Sequence, residues 1–135
     1  MRQSIGLSLA IAALSATAIA GFAAPAANAD VLSGAWSGGG TVRLTSGQVE
    51  KVRCRVSYSK STGKTYLINA TCSSTGGTFA QTGRVVQLSG NRFRGRLYSD
   101  EYEVSGNISI SVRGKRQTVS VSSAKGTGSL ALSKR

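Results

Sequence analysis

The chain has 135 residues, with 17 Lys and Arg against five Asp and Glu, two Cys and no His, for a formal net charge of +12. Lacking His, it has neither the commonest general base and metal ligand nor any Ser–His or Cys–His nucleophile pair. Its length allows one domain with a modest core beyond an N-terminal leader.

The leader comes first. Arg2 supplies a positive charge, Ile5 to Ala24 is uncharged and rich in Leu, Ile and Ala, and Ala27-Asn28-Ala29 is a small-x-small site. This pattern predicts a secretory signal peptide over residues 1–29, cut before Asp30, and hence a periplasmic or secreted protein. An uncleaved membrane anchor is the alternative; the Ala, Ser, Thr and Gly content and the cleavage site favour removal. No Cys lies near the cut and Arg2 stands alone, so neither a lipid-anchor nor a twin-Arg signal is visible. Residues 30–135 then form a single domain with sixteen basic and five acidic residues. No later segment is long and apolar enough for a transmembrane helix.

From Asp30 onward the chain alternates apolar and polar residues, punctuated by Gly, Ser and Asn. This predicts eight strands, over 35–44, 49–58, 65–72, 78–89, 92–98, 102–113, 117–123 and 127–133. Adjacent Val85 and Val86 predict a bulge or register change in the fourth. Tyr102 and Val104 start the apolar face of the sixth. Tight turns are expected at Ser89-Gly90-Asn91, Ser99-Asp100-Glu101 and Gly114-Lys115-Arg116. Eight short, sequentially connected antiparallel strands predict an all-β up-and-down barrel, because closure removes exposed edges. A β-sandwich is the alternative. A membrane-spanning barrel is rejected, because the outward positions carry Ser, Thr, Arg and Lys rather than an apolar band.

The cysteines fit this meander. A hairpin centred near Gly63 places Cys54 beside Cys72, both on the apolar face, and an exported protein meets oxidising conditions, so a Cys54–Cys72 disulfide is predicted. The CxxC spacing of a redox pair is absent, and two thiols without His make a poor metal site.

The first strand opens with Gly34-Ala35-Trp36. This Gly-x-Trp is similar to the first strand of calycin-type barrels: lipocalins, avidins and the small bacterial metalloprotease inhibitors. The resemblance implies that Trp36 closes one end of the barrel beneath a cation from the last strand, Lys134 or Arg135. The chain as a whole resembles uncharacterised small secreted proteins of Gram-negative bacteria, which carries no activity with it.

Nothing in the sequence assembles a catalytic or metal site, and no cofactor motif is present. Asp100, Glu101 and Glu103 sit beside a predicted turn, with Glu101 and Glu103 placed on the same side of a strand, and read as a solvated turn rather than a carboxylate pair for acid/base work. Gly38-Gly39-Gly40 is followed by no Lys-Ser/Thr and no helix, so it is not a phosphate loop; glycines there allow bending. The informative feature is charge. Arg92, Arg94 and Arg96 alternate with Phe93, Gly95 and Leu97, and Arg53 and Arg55 alternate in the second strand, so the guanidiniums form outward stripes. Such forks suit phosphate or carboxylate; the bland reading is a face that keeps the domain soluble.

The expectation is a non-catalytic envelope protein that binds an anionic component, lipopolysaccharide, anionic lipid or acidic glycan, through Arg53, Arg55, Arg92, Arg94 and Arg96. Nucleic acid is disfavoured by compartment and by the scarcity of aromatic residues. The alternatives are a calycin-type carrier, in which Gly38, Gly40, Gly95 and Gly106 either leave a lumen or merely permit tight packing, and a protease inhibitor whose Asp30-Val31-Leu32-Ser33 enters the protease cleft.

Overall fold

The computed structural model describes residues 30–135; the predicted signal peptide lies outside them. The described residues hold no helix. The strands are β1 (Gly34–Leu44), β2 (Val49–Lys60), β3 (Thr65–Ser74), β4 (Gly77–Ser89), β5 (Arg92–Ser99), β6 (Val104–Arg113), β7 (Arg116–Ser123) and β8 (Gly126–Lys134). Each pairs antiparallel with the next, and β8 returns to β1, so the sheet is a closed barrel.

Two sequence expectations shift. The sixth strand begins at Val104, not at residue 102: Asp100 to Glu103 form the connecting turn, Glu103 has a positive φ of 48° and Tyr102 is exposed. Glu101 and Glu103 are therefore turn residues, not neighbours on a strand face. The irregularity in β4 does not fall at Val85 and Val86. They keep the alternation, Val85 buried and Val86 exposed, and the register breaks between Gln87 and Ser89 instead.

The alternation fixes which way each side chain points. On β2, Val52, Cys54, Val56 and Tyr58 are buried while Lys51, Arg53, Arg55 and Ser57 between them are exposed. Closure depends on the absence of side chains at two places in β1. A Cβ at Gly38 would lie 2.1 Å from the Ala131 carbonyl oxygen, and one at Gly40 would lie 1.8 Å from that of Ser129. Both carbonyls belong to β8, so these glycines let the first and last strands approach. Gly95 does the same between β5 and β4, where a Cβ would lie 1.8 Å from the Arg84 carbonyl oxygen. These three glycines permit backbone contact; they do not open a lumen.

The β2–β3 hairpin has the expected register. Cys54 pairs with Cys72 and the two are bonded, with Cα atoms 4.1 Å apart. Gly63 takes a φ of 60° in the turn, a conformation that disfavours side chains.

Up-and-down connection puts alternate hairpins at opposite ends. The turns β2–β3, β4–β5 and β6–β7 lie at one end, with both ends of the described residues. There the interior is filled: Trp36, Tyr66 and Phe93 are almost fully buried, and Tyr66 meets Phe93 edge-on at 5.4 Å between ring centres. Tyr58 Oη donates to Gln117 Oε1 at 2.6 Å, and burial pushes the Tyr58 phenol far above its ordinary pKa despite that bond.

The N-terminal segment finishes this end. Leu32 is fully buried, and its carbonyl accepts the Trp36 indole N–H at 2.8 Å. Lys134 Nζ stands 5.7 Å from the Trp36 ring centre, so the cation over the tryptophan is Lys134. Asp30 ties the segment down by accepting from the Ser33 amide at 2.9 Å, the Leu32 amide at 3.2 Å and the Ser33 hydroxyl. Partial burial pushes its carboxyl up, but these hydrogen bonds outweigh that and leave its pKa below the ordinary value.

Three predictions follow from this packing. Replacing Cys54 and Cys72 together with Ala lowers unfolding stability by about 3 kcal/mol in the chain-entropy account, read from denaturant titration. Gly40→Ala forces a methyl into the β8 backbone and destabilises by about 3 kcal/mol or more, the upper end of overpacking penalties, whereas Ala at exposed Gly90 is close to neutral. Because the Asp30 pKa is depressed on folding, its contribution is full above the unfolded value near 3.8 and is lost as pH falls through the folded value. Asp30→Ala removes that part of the acid sensitivity, which thermal melts from neutral to acidic pH would measure.

Candidate functional site: an open cup in the barrel

The opposite end, with the β1–β2, β3–β4, β5–β6 and β7–β8 turns, is not filled. On β3, β5, β6 and β7 the inward columns carry small side chains toward it. On β3 they run Tyr66, Ile68, Ala70, Cys72, Ser74, and on β5 Phe93, Gly95, Leu97, Ser99. On β6 Val112, Ile110 and Ile108 give way to Gly106, and on β7 Val119 and Val121 give way to Ser123. The result is a cup of about 380 Å³. A contiguous side chamber of about 160 Å³ reaches the disulfide and shares Val42, Val52 and Phe79 with the cup. This total lies in the range of small-molecule sites.

The wall is mainly apolar, formed by Val42, Val52, Phe79, Leu97, Val104 and Val121. Among its polar groups, Gln81 and Ser99 stand on neighbouring strands. Ser99 is only 6% exposed, and its Oγ has no hydrogen-bond partner among the described residues. One step beyond the Thr82–Tyr98 pair, Gln81 of β4 lies across from Ser99, and both line the cup. An unpaired buried hydroxyl costs about 1–3 kcal/mol unless a partner reaches it. Glu50 and Lys125 stand at the rim, where Gln48 Nε2 donates to Glu50 Oε1 at 3.3 Å. Tyr102 from the β5–β6 turn packs edge-on against Phe79, with ring centres 6.1 Å apart.

The arginines of the sequence analysis lie outside this cup and do not form one surface. Arg53 and Arg55 are exposed on β2, and Arg92, Arg94 and Arg96 are exposed on β5, with β3 and β4 between them. The curved wall turns the two groups to different sides. The β5 row gains a member that sequence reasoning passed over. Arg84 on β4 pairs directly with Arg96; positions 84 and 96 are symmetric about Gly90, so the hairpin centre would have revealed it. Arg96 is held by neutral groups, donating to Asn107 Oδ1 at 3.0 Å and to Ser105 Oγ at 3.1 Å.

Trp36 and the cysteine pair are where the sequence placed them. Of Gly38, Gly40, Gly95 and Gly106, only Gly106 lines the cup. The inhibitor reading needs a free N-terminal arm, but Asp30 to Ser33 is folded onto the closed end with Leu32 buried. Among the described residues no group of three or more His, Cys, Asp or Glu is placed to hold a metal, and no helix is long and apolar enough to cross a membrane.

No protein-family model and no curated protein sequence matches the chain. Solved structures do resemble it. A redesigned β-barrel, mFAP1, bound to DFHBI, superposes with a TM-score of 0.65 at 14% identity, over 80% of this chain and 98% of that one. EF1p2_mFAP2b, also bound to DFHBI, gives 0.68 at 12% identity, over 80% and 97%. Rv2717c from M. tuberculosis gives 0.55 at 9% identity, over 78% and 94%. At such identities the likeness is one of fold, an eight-stranded antiparallel barrel.

Proposed function

We propose that this is a non-catalytic, exported binding protein that takes a small, mainly apolar molecule into the open end of its barrel. One observation carries the reading: an apolar cup whose wall holds the buried, unpartnered hydroxyl of Ser99. A ligand with one hydrogen-bonding group beside an apolar body would satisfy Ser99 and Gln81 and displace water from the rest. The DFHBI complexes of the similar designed barrels support the reading to this extent: barrels of this fold bind a small molecule. The Cys54–Cys72 bond and the leader-like N-terminus favour the periplasm or the extracellular medium.

A second reading concerns the outside of the barrel, where the exposed Arg84, Arg92, Arg94 and Arg96 sit on neighbouring strands. They favour attachment to an anionic envelope component while the cup holds its ligand.

Titration with the neutral probe N-phenyl-1-naphthylamine and with the phenolic probe DFHBI tests the first reading. Val42→Trp, which fills the cup from a half-buried position, abolishes binding of both. Ser99→Ala weakens DFHBI by about tenfold, the worth of one good hydrogen bond, and leaves the neutral probe little changed. Unaltered binding of both probes to the Val42→Trp variant sinks the cup as the site.

A further inference from the structure

The basic face on β4 and β5 is not purely basic. On the outward side of β3, β4 and β5 the register sets Leu67, Arg84 and Arg96 in one row and Thr65, Val86 and Arg94 in the next. Beyond them Leu88 stands at the register break, one residue before Ser89, which pairs with Arg92. Leu88 is 60% exposed, Val86 44% and Leu67 38%. Half-exposed Tyr98 continues the outward column of Arg92, Arg94 and Arg96. Strand spacing places this set within roughly 10 by 20 Å.

The other basic wall is less mixed: its outward column on β2 carries one exposed apolar residue, Val49, at the end of the strand away from Arg55. There Arg53 pairs with Ser73 and Arg55 with Thr71, and Asn69 lies opposite Ser57. That is what a solvated face looks like. A face serving solubility alone gains nothing from uncovered Val and Leu, and an acidic glycan offers charge without an apolar phase. An anionic lipid surface offers both. Guanidiniums meet headgroup phosphates, Val86 and Leu88 enter the acyl boundary, and a tyrosine sits at the interface between them. The register break puts Leu88, the most exposed large apolar side chain of the described residues, beside the arginines that would hold the phosphates.

We infer that the β3–β5 wall docks on an anionic lipid surface through Arg84, Arg92, Arg94 and Arg96, with Val86 and Leu88 inserted between the headgroups. This rests on the second reading above and names its partner as lipid rather than glycan.

The test is co-sedimentation of the purified protein with vesicles of phosphatidylcholine, alone or mixed with phosphatidylglycerol, beside retention on heparin as a charge-only polyanion. The altered positions all point outward, and far-UV circular dichroism checks that each variant keeps the barrel. The unaltered protein binds the mixed vesicles and not phosphatidylcholine alone. Arg92→Ser, Arg94→Ser and Arg96→Ser together weaken that binding by about a hundredfold, from about 1 kcal/mol per arginine near the surface. Val86→Ser with Leu88→Ser weakens it by about tenfold and leaves heparin retention unchanged. Arg53→Ser with Arg55→Ser retains vesicle binding. If the Val86 and Leu88 variant binds vesicles as tightly as the unaltered protein, lipid insertion is wrong although the anionic reading stands. Failure to bind either vesicles or heparin removes both. Concentration-dependent dimers that this variant abolishes, without vesicle binding, would assign the patch to self-association and overturn the proposal.

Discussion

The barrel depends on how closely its first and last strands can approach. Hydrogen bonds between β1 and β8 form only because positions 38 and 40 carry no Cβ; a methyl at either would sit inside a carbonyl oxygen of β8. Without that seam the sheet would have two open edges, with unpaired amides and carbonyls along most of a strand each. The interior, the closed end and the cup all presuppose it. So does the division of the surface, because closure is what turns Arg53 and Arg92 to different sides of the molecule.

Inside the closed wall, side-chain volume is graded along the axis. Trp36, Tyr66 and Phe93 fill one end; Ser74, Ser99, Gly106 and Ser123 leave the other unfilled. The N-terminal segment seals the filled end by a chain of contacts: Asp30 fixes the turn, Leu32 plugs, its carbonyl holds the indole, and Lys134 covers the ring. Stability and the candidate binding function are thereby separated in space, and the Cys54–Cys72 bridge borders the side chamber between them. The disulfide thus stiffens the wall next to the space where a ligand would sit.

Much of this architecture was legible in the sequence because period-2 alternation and hairpin symmetry are local signals. The pairing of Cys54 with Cys72 follows from a turn at Gly63, and strand limits come within a few residues of those observed. Residue 102 was misplaced because Tyr102 continues the alternation into Val104 by spacing alone, whereas Glu103 adopts a turn conformation that alternation does not encode. The β4 irregularity was misplaced because two adjacent valines need not both be buried on a barrel whose outer face tolerates one of them. The cup was harder to see. Its signal is the small inward residues near the mouth ends of β3, β5, β6 and β7, which become readable only once an up-and-down topology brings those ends together. The glycines were compatible with a lumen or with tight packing, and at Gly38, Gly40 and Gly95 the close backbone approach decides for packing. That the arginines of β2 and β5 face different sides was not legible for a related reason, because a linear sequence shows alternation but not curvature.

The same topology sorts charge along the barrel axis. Glu50, Asp100, Glu101 and Glu103 lie at the mouth with Arg43, Lys51 and Lys125, whereas Lys60, Lys64, Arg92, Arg113, Lys115, Arg116, Lys134 and Arg135 lie at or near the sealed end, against Asp30 alone among the described acidic residues. The molecule is an electric dipole as well as a strongly basic protein. Near a negatively charged sheet it experiences a torque that draws the sealed end inward and tilts the mouth toward the bulk solution. A molecule entering the cup would then arrive from the aqueous side, with the bound surface behind it.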